Sequence, residues 1–316
     1  MDKYDNKYRN TQISVIFYLQ SLYDDAVDKI LSGFSVSSLS EKELFAFKNF
    51  PKLDKQADKV IKELSPALLT YINTRISDVW GLSNSKNDAL VDNLFTRIKK
   101  EPKISFKSHN EKQLETFLNR KVKGLTISDR VWNLNGTFKS EIESAVSAAI
   151  EKGQSAQSLA KDIKKYLNNP DARFRKIRDK FGNLKPSKNA LQYHPGQGVY
   201  RSAHANALRL ARNEINQAYR ESDYLRWQKM PFVVGYRIQT SNRVATVCPI
   251  CRELAGIYPK SFKFLSWHVS CMCTCIPIMV SDSEFDKVLE DENYTPKQPP
   301  IPKQYTEYVE KQKGNS

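Results

Sequence analysis

Apolar residues recur at helical spacing through most of the first half of the chain. Ile16, Leu19, Leu22, Tyr23, Ala26, Val27 and Ile30 make one stripe, because steps of three and four residues return to the same helix face. A second helix is expected through Val60, Ile61 and Leu64, and a third through Leu69, Ile72, Ile76, Val79 and Trp80. Ser65 is the predicted N-cap of that third helix, with Pro66 at its first position, where a missing N–H costs nothing. Ser83 to Asp88 reads as a polar break, followed by Leu90, Leu94 and Ile98 on a further helix. Phe138 then opens a helix with Ile142, Val146, Ala149 and Ile150, closed by Gly153. Ser155 caps another over Ala156 to Leu167, which ends at Asn168-Asn169-Pro170.

The strongest helix is predicted over residues 201–229. Leu208, Ala211, Ile215, Ala218, Ser222 and Leu225 form its buried stripe, and Arg209, Arg212, Asn216 and Arg220 its polar flank. Past Met230-Pro231 the period changes to two, with Val233, Tyr236, Ile238 and Thr240 suggesting a strand. The expected fold is therefore mainly α, with a helical N-terminal region and a smaller C-terminal α+β module. Boundaries are expected near 130 and 281, the metal-bearing part covering 232–281. Residues 282–316 carry Pro296, Pro299, Pro300 and Pro302 and eight acids against five bases. That composition suggests an extended, polyproline-like tail, poorly packed and available for docking.

Composition sharpens this picture at two points. The net charge is +15 over 316 residues, which implies affinity for polyanions or for an acidic protein partner. The basic excess concentrates in 161–190, with ten Lys or Arg against three Asp. A phosphate-contacting arm there would use Arg173, Arg175, Lys176, Arg178 and Lys180, joined by Arg209 and Arg212 from the long helix. A solvated lysine-rich surface accounts for the same charge equally well. No stretch approaches the ~18 apolar residues of a membrane span. The start carries no apolar signal core, so a reducing cytoplasm is the expected site of synthesis.

The chemistry-bearing pattern is a cysteine cluster. All five cysteines lie in two knuckles, Cys248-Pro-Ile-Cys251 and His268-Val-Ser-Cys271-Met-Cys273-Thr-Cys275. Two turns that each present a pair of thiolate or imidazole donors are what a tetrahedral zinc ion requires. An odd number of cysteines in a reducing compartment argues for metal over disulfides. The expected ligands of one structural Zn2+ are Cys248, Cys251, His268 and either Cys271 or Cys273, with at least two of the six donors spare. Five buried thiols acting as small hydrophobes, or a Cys–His nucleophilic pair, are the competing readings. No H-E-x-x-H or deaminase spacing accompanies the cluster.

Three features in order resemble the phage Mu protein F-like minor head proteins, a phage head morphogenesis family. They are the helix–Gly–Ser–helix unit around Gly153 and Ser155, the run Leu208-Arg-Leu-Ala-Arg212-Asn-Glu214-Ile-Asn216-Gln-Ala218, and the two knuckles with Leu254 and Gly256. The resemblance covers roughly 140–280. Asn213, Val269 and Met272 depart from its pattern, and Ser241-Asn242-Arg243 replace an acidic residue; such losses suit a metal-stapled scaffold better than an enzyme. The resemblance implies a virion component inside the capsid at the portal vertex. Its partners would be the portal protein, capsid interior proteins and double-stranded DNA, with no membrane. The N-terminal helices would then dock on the portal. Outside that family, a zinc-dependent nucleic-acid-binding protein is the alternative, and a phage-borne nuclease or toxin a more distant one.

Overall fold

The computed structural model describes residues 3–32, 45–102, 104–150, 156–168, 177–178, 184–185, 202–240, 248–269, 271–291 and 293–314. The helices are α1 (Lys3–Leu31), α2 (Pro51–Ile98), α3 (Glu111–Asn119), α4 (Ile127–Ile150), α5 (Ala156–Asn168), α6 (Ala203–Gln228), α7 (Pro249–Glu253), α8 (Asp282–Glu290) and α9 (Lys303–Gly314). The strands are β1 (Ile177–Arg178), β2 (Leu184–Lys185), β3 (Val233–Gln239), β4 (Gly256–Pro259) and β5 (Thr274–Met279). The fold is mainly helical with a small C-terminal sheet, as the periodicity suggests. By internal contacts the chain forms two compact units. One comprises Met1–Tyr8, Arg75–Phe117 and Asn213–Ser316, and the other Arg9–Thr74 and Leu118–Arg212.

The second of these units is a helical assembly. Leu19, Tyr23, Val27 and Ile30 of α1, Leu64, Leu68 and Ile72 of α2, and Val131, Phe138 and Ile142 of α4 are all buried. Tyr23 meets Phe138 edge-on at 5.1 Å and donates its hydroxyl to Asn135 Oδ1 at 3.0 Å. Asn135 in turn donates to Ser65 Oγ at 2.7 Å. Ser65 therefore sits inside a continuous helix rather than capping one, its hydroxyl also reaching the Ile61 carbonyl at 3.4 Å. The helix survives Pro66 because Pro66 and Lys62 lie on its exposed face. Water there can take the carbonyl that the proline leaves without an N–H.

One further expectation is corrected. The helix with Phe138 starts eleven residues earlier, at Ile127. Thr126 and Asp129 exchange hydrogen bonds in a capping box, Thr126 N to Asp129 Oδ2 at 2.9 Å and Asp129 N to Thr126 Oγ1 at 3.1 Å. Within the basic stretch, β1 and β2 pair antiparallel, Ile177 opposite Lys185 and Arg178 opposite Leu184.

The other unit holds the sheet, ordered β4-β3-β5 and antiparallel throughout. Tyr236 and Ile238 point inward from the central strand while Arg237 and Gln239 are exposed, the alternation of a half-buried strand. Phe95, Phe106, Phe232 and Phe285 pack ring against ring behind it at 5.2–6.2 Å. The C-terminal tail is neither wholly extended nor unpacked. It contains α8, which buries Phe285 and Val288 in this core, and α9.

The expected break at Ser83 to Asp88 is absent, since α2 runs through it. These polar side chains stay helical because α6 satisfies them. Asp223, about 1 % exposed, accepts from Ser83 Oγ at 2.7 Å, Lys86 Nζ at 2.6 Å and Asn87 Nδ2 at 2.9 Å. Trp227 donates its indole N–H to Asn87 Oδ1 at 2.7 Å, and Lys86 lies 4.5 Å from the Tyr219 ring centroid. Arg226 reaches Asp88 at 2.7 Å and the Phe106 carbonyl at 3.0 Å. Removing the carboxylate would strand a buried ammonium. Asp223→Ala is expected to cost about 3–5 kcal/mol, read as a lowered urea midpoint with an unchanged far-UV spectrum before the transition.

Candidate metal centre

Each knuckle is built by a short turn at a strand end. Cys248 precedes α7, whose first residue is Pro249, and the Cys248 carbonyl accepts from Arg252 N at 3.1 Å. One turn of helix thus brings Cys251 beside Cys248. The second knuckle closes through Cys271 N to the His268 carbonyl at 3.2 Å and runs directly into β5. Since β4 and β5 flank β3 on either side, the sheet carries both turns, and α7 and the His268 turn meet.

The donors converge as two triads sharing one sulfur. Cys248, Cys251 and His268 form the first, and Cys251, Cys271 and Cys273 the second, the ligand atoms of each lying within 4.8 Å of one another. Cys251 Sγ stands 3.0 Å from His268 Nε2 and 3.8 Å from Cys271 Sγ. His268 Nδ1 is 2.8 Å from the Val269 carbonyl. A carbonyl only accepts, so Nδ1 carries the proton and Nε2 offers its lone pair toward the sulfurs. This Cys/His cluster can hold a metal ion. All five residues expected as ligands are brought together, and Cys275 belongs to neither triad.

Protonation within the cluster is shared unequally. A hydrogen bond from Cys273 holds the Cys271 thiol down at about 5, against burial. Cys251 is pushed up to about 12, first by burial and then by the neighbouring Cys271 charge. Cys273 is driven upward by its bond to Cys271 and by burial. Thiols that hydrogen-bond one another in this way must release protons when a cation takes their place. Cys275 is raised to about 12 by burial, with Arg220 opposing.

The long helix braces the second knuckle. Arg220, about 3 % exposed, donates Nη2 to the Cys273 carbonyl at 2.5 Å and lies 3.8 Å from Asp223. Asn216 accepts from the Tyr8 hydroxyl at 2.8 Å. Both are buried, so the polar flank that they share with Arg209 and Arg212 is turned inward at these two positions. Arg212 Nε contacts Gln12 Oε1 at 3.4 Å. Arg173, Arg175, Lys176 and Lys180 lie outside the described residues, and Arg178 is placed on β1. Sequence reasoning missed the Ser83–Lys86–Asn87 and Arg220–Asp223–Arg226 sets. Their three- and four-residue spacing, matching on two helices, was the available signal. His109 lies 2.8 Å from Asp88, whose burial is outweighed by hydrogen bonds from His109 and Arg226 that keep its carboxyl below the ordinary range.

Comparison of the chain with protein-family models, with curated proteins and with solved structures gives no match.

Two outcomes follow from the cluster. Cys251→Ser removes the donor common to both triads and should abolish metal retention, whereas Cys275→Ser should leave the metal content per chain unchanged in elemental analysis. Thiols protonated at neutral pH must release protons to bind an ion. Affinity should therefore fall as pH drops, by about tenfold per pH unit for each proton released, in competition titrations with a chromogenic chelator.

Proposed function

We propose that the chain is a minor head protein of a tailed phage, a non-catalytic assembly component whose C-terminal unit is held by one structural zinc ion. The observation that carries the zinc reading is the meeting of the two knuckles at Cys251. Two thiolates about 2.3 Å from one zinc ion at the tetrahedral angle stand ~3.8 Å apart, and Cys251 and Cys271 have that separation. Thiolates with one imidazole, oriented by a backbone carbonyl, suit zinc better than a hard cation. Of the five donors, Cys248, Cys251 and His268 would supply three, and Cys271 or Cys273 the fourth. When bound, the ion contributes folding free energy by tying α7 to the start of β5.

The head-protein reading rests on the resemblance of residues 140–280 to the Mu F-like family. In support, the long helix, the strand and the two knuckles occur in that family's order, and Arg220 of that helix bonds the second knuckle's backbone. The portal protein, capsid interior proteins and packaged double-stranded DNA are the partners this reading implies, and the virion its location. The net charge of +15 favours a second reading, a zinc-dependent nucleic-acid-binding protein.

Two measurements test these readings. Protein purified under reducing conditions should carry about one equivalent of zinc, and less than half an equivalent would end the zinc assignment. The full chain should co-sediment with assembled portal rings. Failure to do so, combined with tight duplex binding whose log affinity falls steeply with log salt, would favour the second reading.

A further inference from the structure

The proline-rich tail lies in a groove whose construction goes beyond what a tether needs. Two glycines open that groove on adjacent strands. A Cβ on Gly235 of β3 would first strike the Tyr258 carbonyl of the paired strand and then stand 2.8 Å from Pro299 Cγ, and one on Gly256 of β4 would stand 3.1 Å from Gln304 Nε2 and 3.6 Å from Pro302 Cγ. Beside them Tyr258, Phe262 and Trp267 form a wall of rings, with centroids 4.4, 5.8 and 6.1 Å apart. Tyr305 closes against all three at 5.9, 4.9 and 6.0 Å, and Gln304 donates to the Ala255 carbonyl at 3.4 Å. Residues 295–302 carry neither helix nor strand.

Aromatic grooves that take polyproline segments pack rings against proline faces and donate an indole N–H to a ligand carbonyl. Here the ring wall meets Tyr305, while Pro299 and Pro302 lie beside the two glycines. The indole donor is present but unmet, because Trp267 Nε1 is buried without a hydrogen-bond partner. The occupant also keeps access to solvent along its length. Among the described residues, none after Val288 is buried.

We propose that this groove is a recognition site for proline-rich extended segments, filled in cis by residues 296–305 until a partner protein's proline-rich segment displaces them. The partner is a different protein rather than a second copy. Exchange between copies would restore the same contacts while losing the high effective concentration of a tethered segment. A foreign segment that offers a carbonyl to Trp267 gains a hydrogen bond the tail does not make. The inference stands apart from the zinc reading, since it uses no metal ligand, and of the family pattern it shares only Gly256.

The test uses the full chain and two labelled synthetic peptides, one matching residues 294–308 and one with its four prolines changed to alanine. Tyr305→Ala loosens the tail without touching the wall. With wild-type metal content and circular dichroism, it should bind the first peptide at least tenfold more tightly than wild type in fluorescence anisotropy, and the second weakly. Adding Trp267→Ala should remove that binding. Pro299→Ala serves the same purpose if Tyr305→Ala fails to fold. Equal binding of both peptides, or of neither, by a folded variant would overturn the site. Concentration-dependent dimers of wild type that Tyr305→Ala abolishes would transfer the groove to a second copy and overturn the partner assignment.

Discussion

A carboxylate with almost no access to water dictates how the sheet-bearing unit is put together. Asp223 cannot remain charged in that position without donors, and α2 supplies three, from Ser83, Lys86 and Asn87. Those bonds set the register between α2 and α6. The register places Trp227 on Asn87 and Arg226 on Asp88, and it aims Arg220 at the Cys273 carbonyl. The cysteine cluster is thus approached from behind by a fixed cation, and its second knuckle is positioned by a buried side chain of that network. Hydrophobic packing alone would hold the same helices together but would leave their axial offset less sharply determined.

The periodicities carried most of the helical architecture. Leu19, Tyr23, Ala26, Val27 and Ile30 of one stripe and Ala211, Ile215, Ala218 and Ser222 of the other are buried as their spacing implies, while Ile16, Leu22, Leu208 and Leu225 are half-buried. The errors share a physical cause, since each concerns polar residues or prolines whose meaning depends on a distant partner. Ser65-Pro66 carries a helix-start signal, yet Asn135 across the helix interface takes the serine and solvent tolerates the proline. Ser83 to Asp88 carries a break signal, and only the facing charges of α6 turn it into an interior. The tail prolines suit 295–302, which carries neither helix nor strand, but the flanking α8 depends on Phe285 finding Phe95 and Phe232.

The metal cluster was more legible than the rest because its information is local. Cys-x-x-Cys fixes a pair of donors by one turn of helix, and His-x-x-Cys does the same with a loop. The strands then need only bring two turns together. Spacing alone left open which sulfurs are spare. Cys275 is excluded by strand geometry, falling within β5 and near Arg220 rather than beside Cys251. The choice between Cys271 and Cys273 is not encoded in spacing, because both lie close enough to Cys251 to share its neighbourhood.

The overlap of the two triads has a kinetic consequence. An ion coordinated by four groups, with a fifth thiol already alongside, can trade one sulfur for another without passing through a three-coordinate state. Cys251 would remain its anchor while Cys271 and Cys273 alternate. Replacing one bound sulfur would then cost less than in a closed set of four ligands, while the tie between α7 and the start of β5 would persist throughout the exchange.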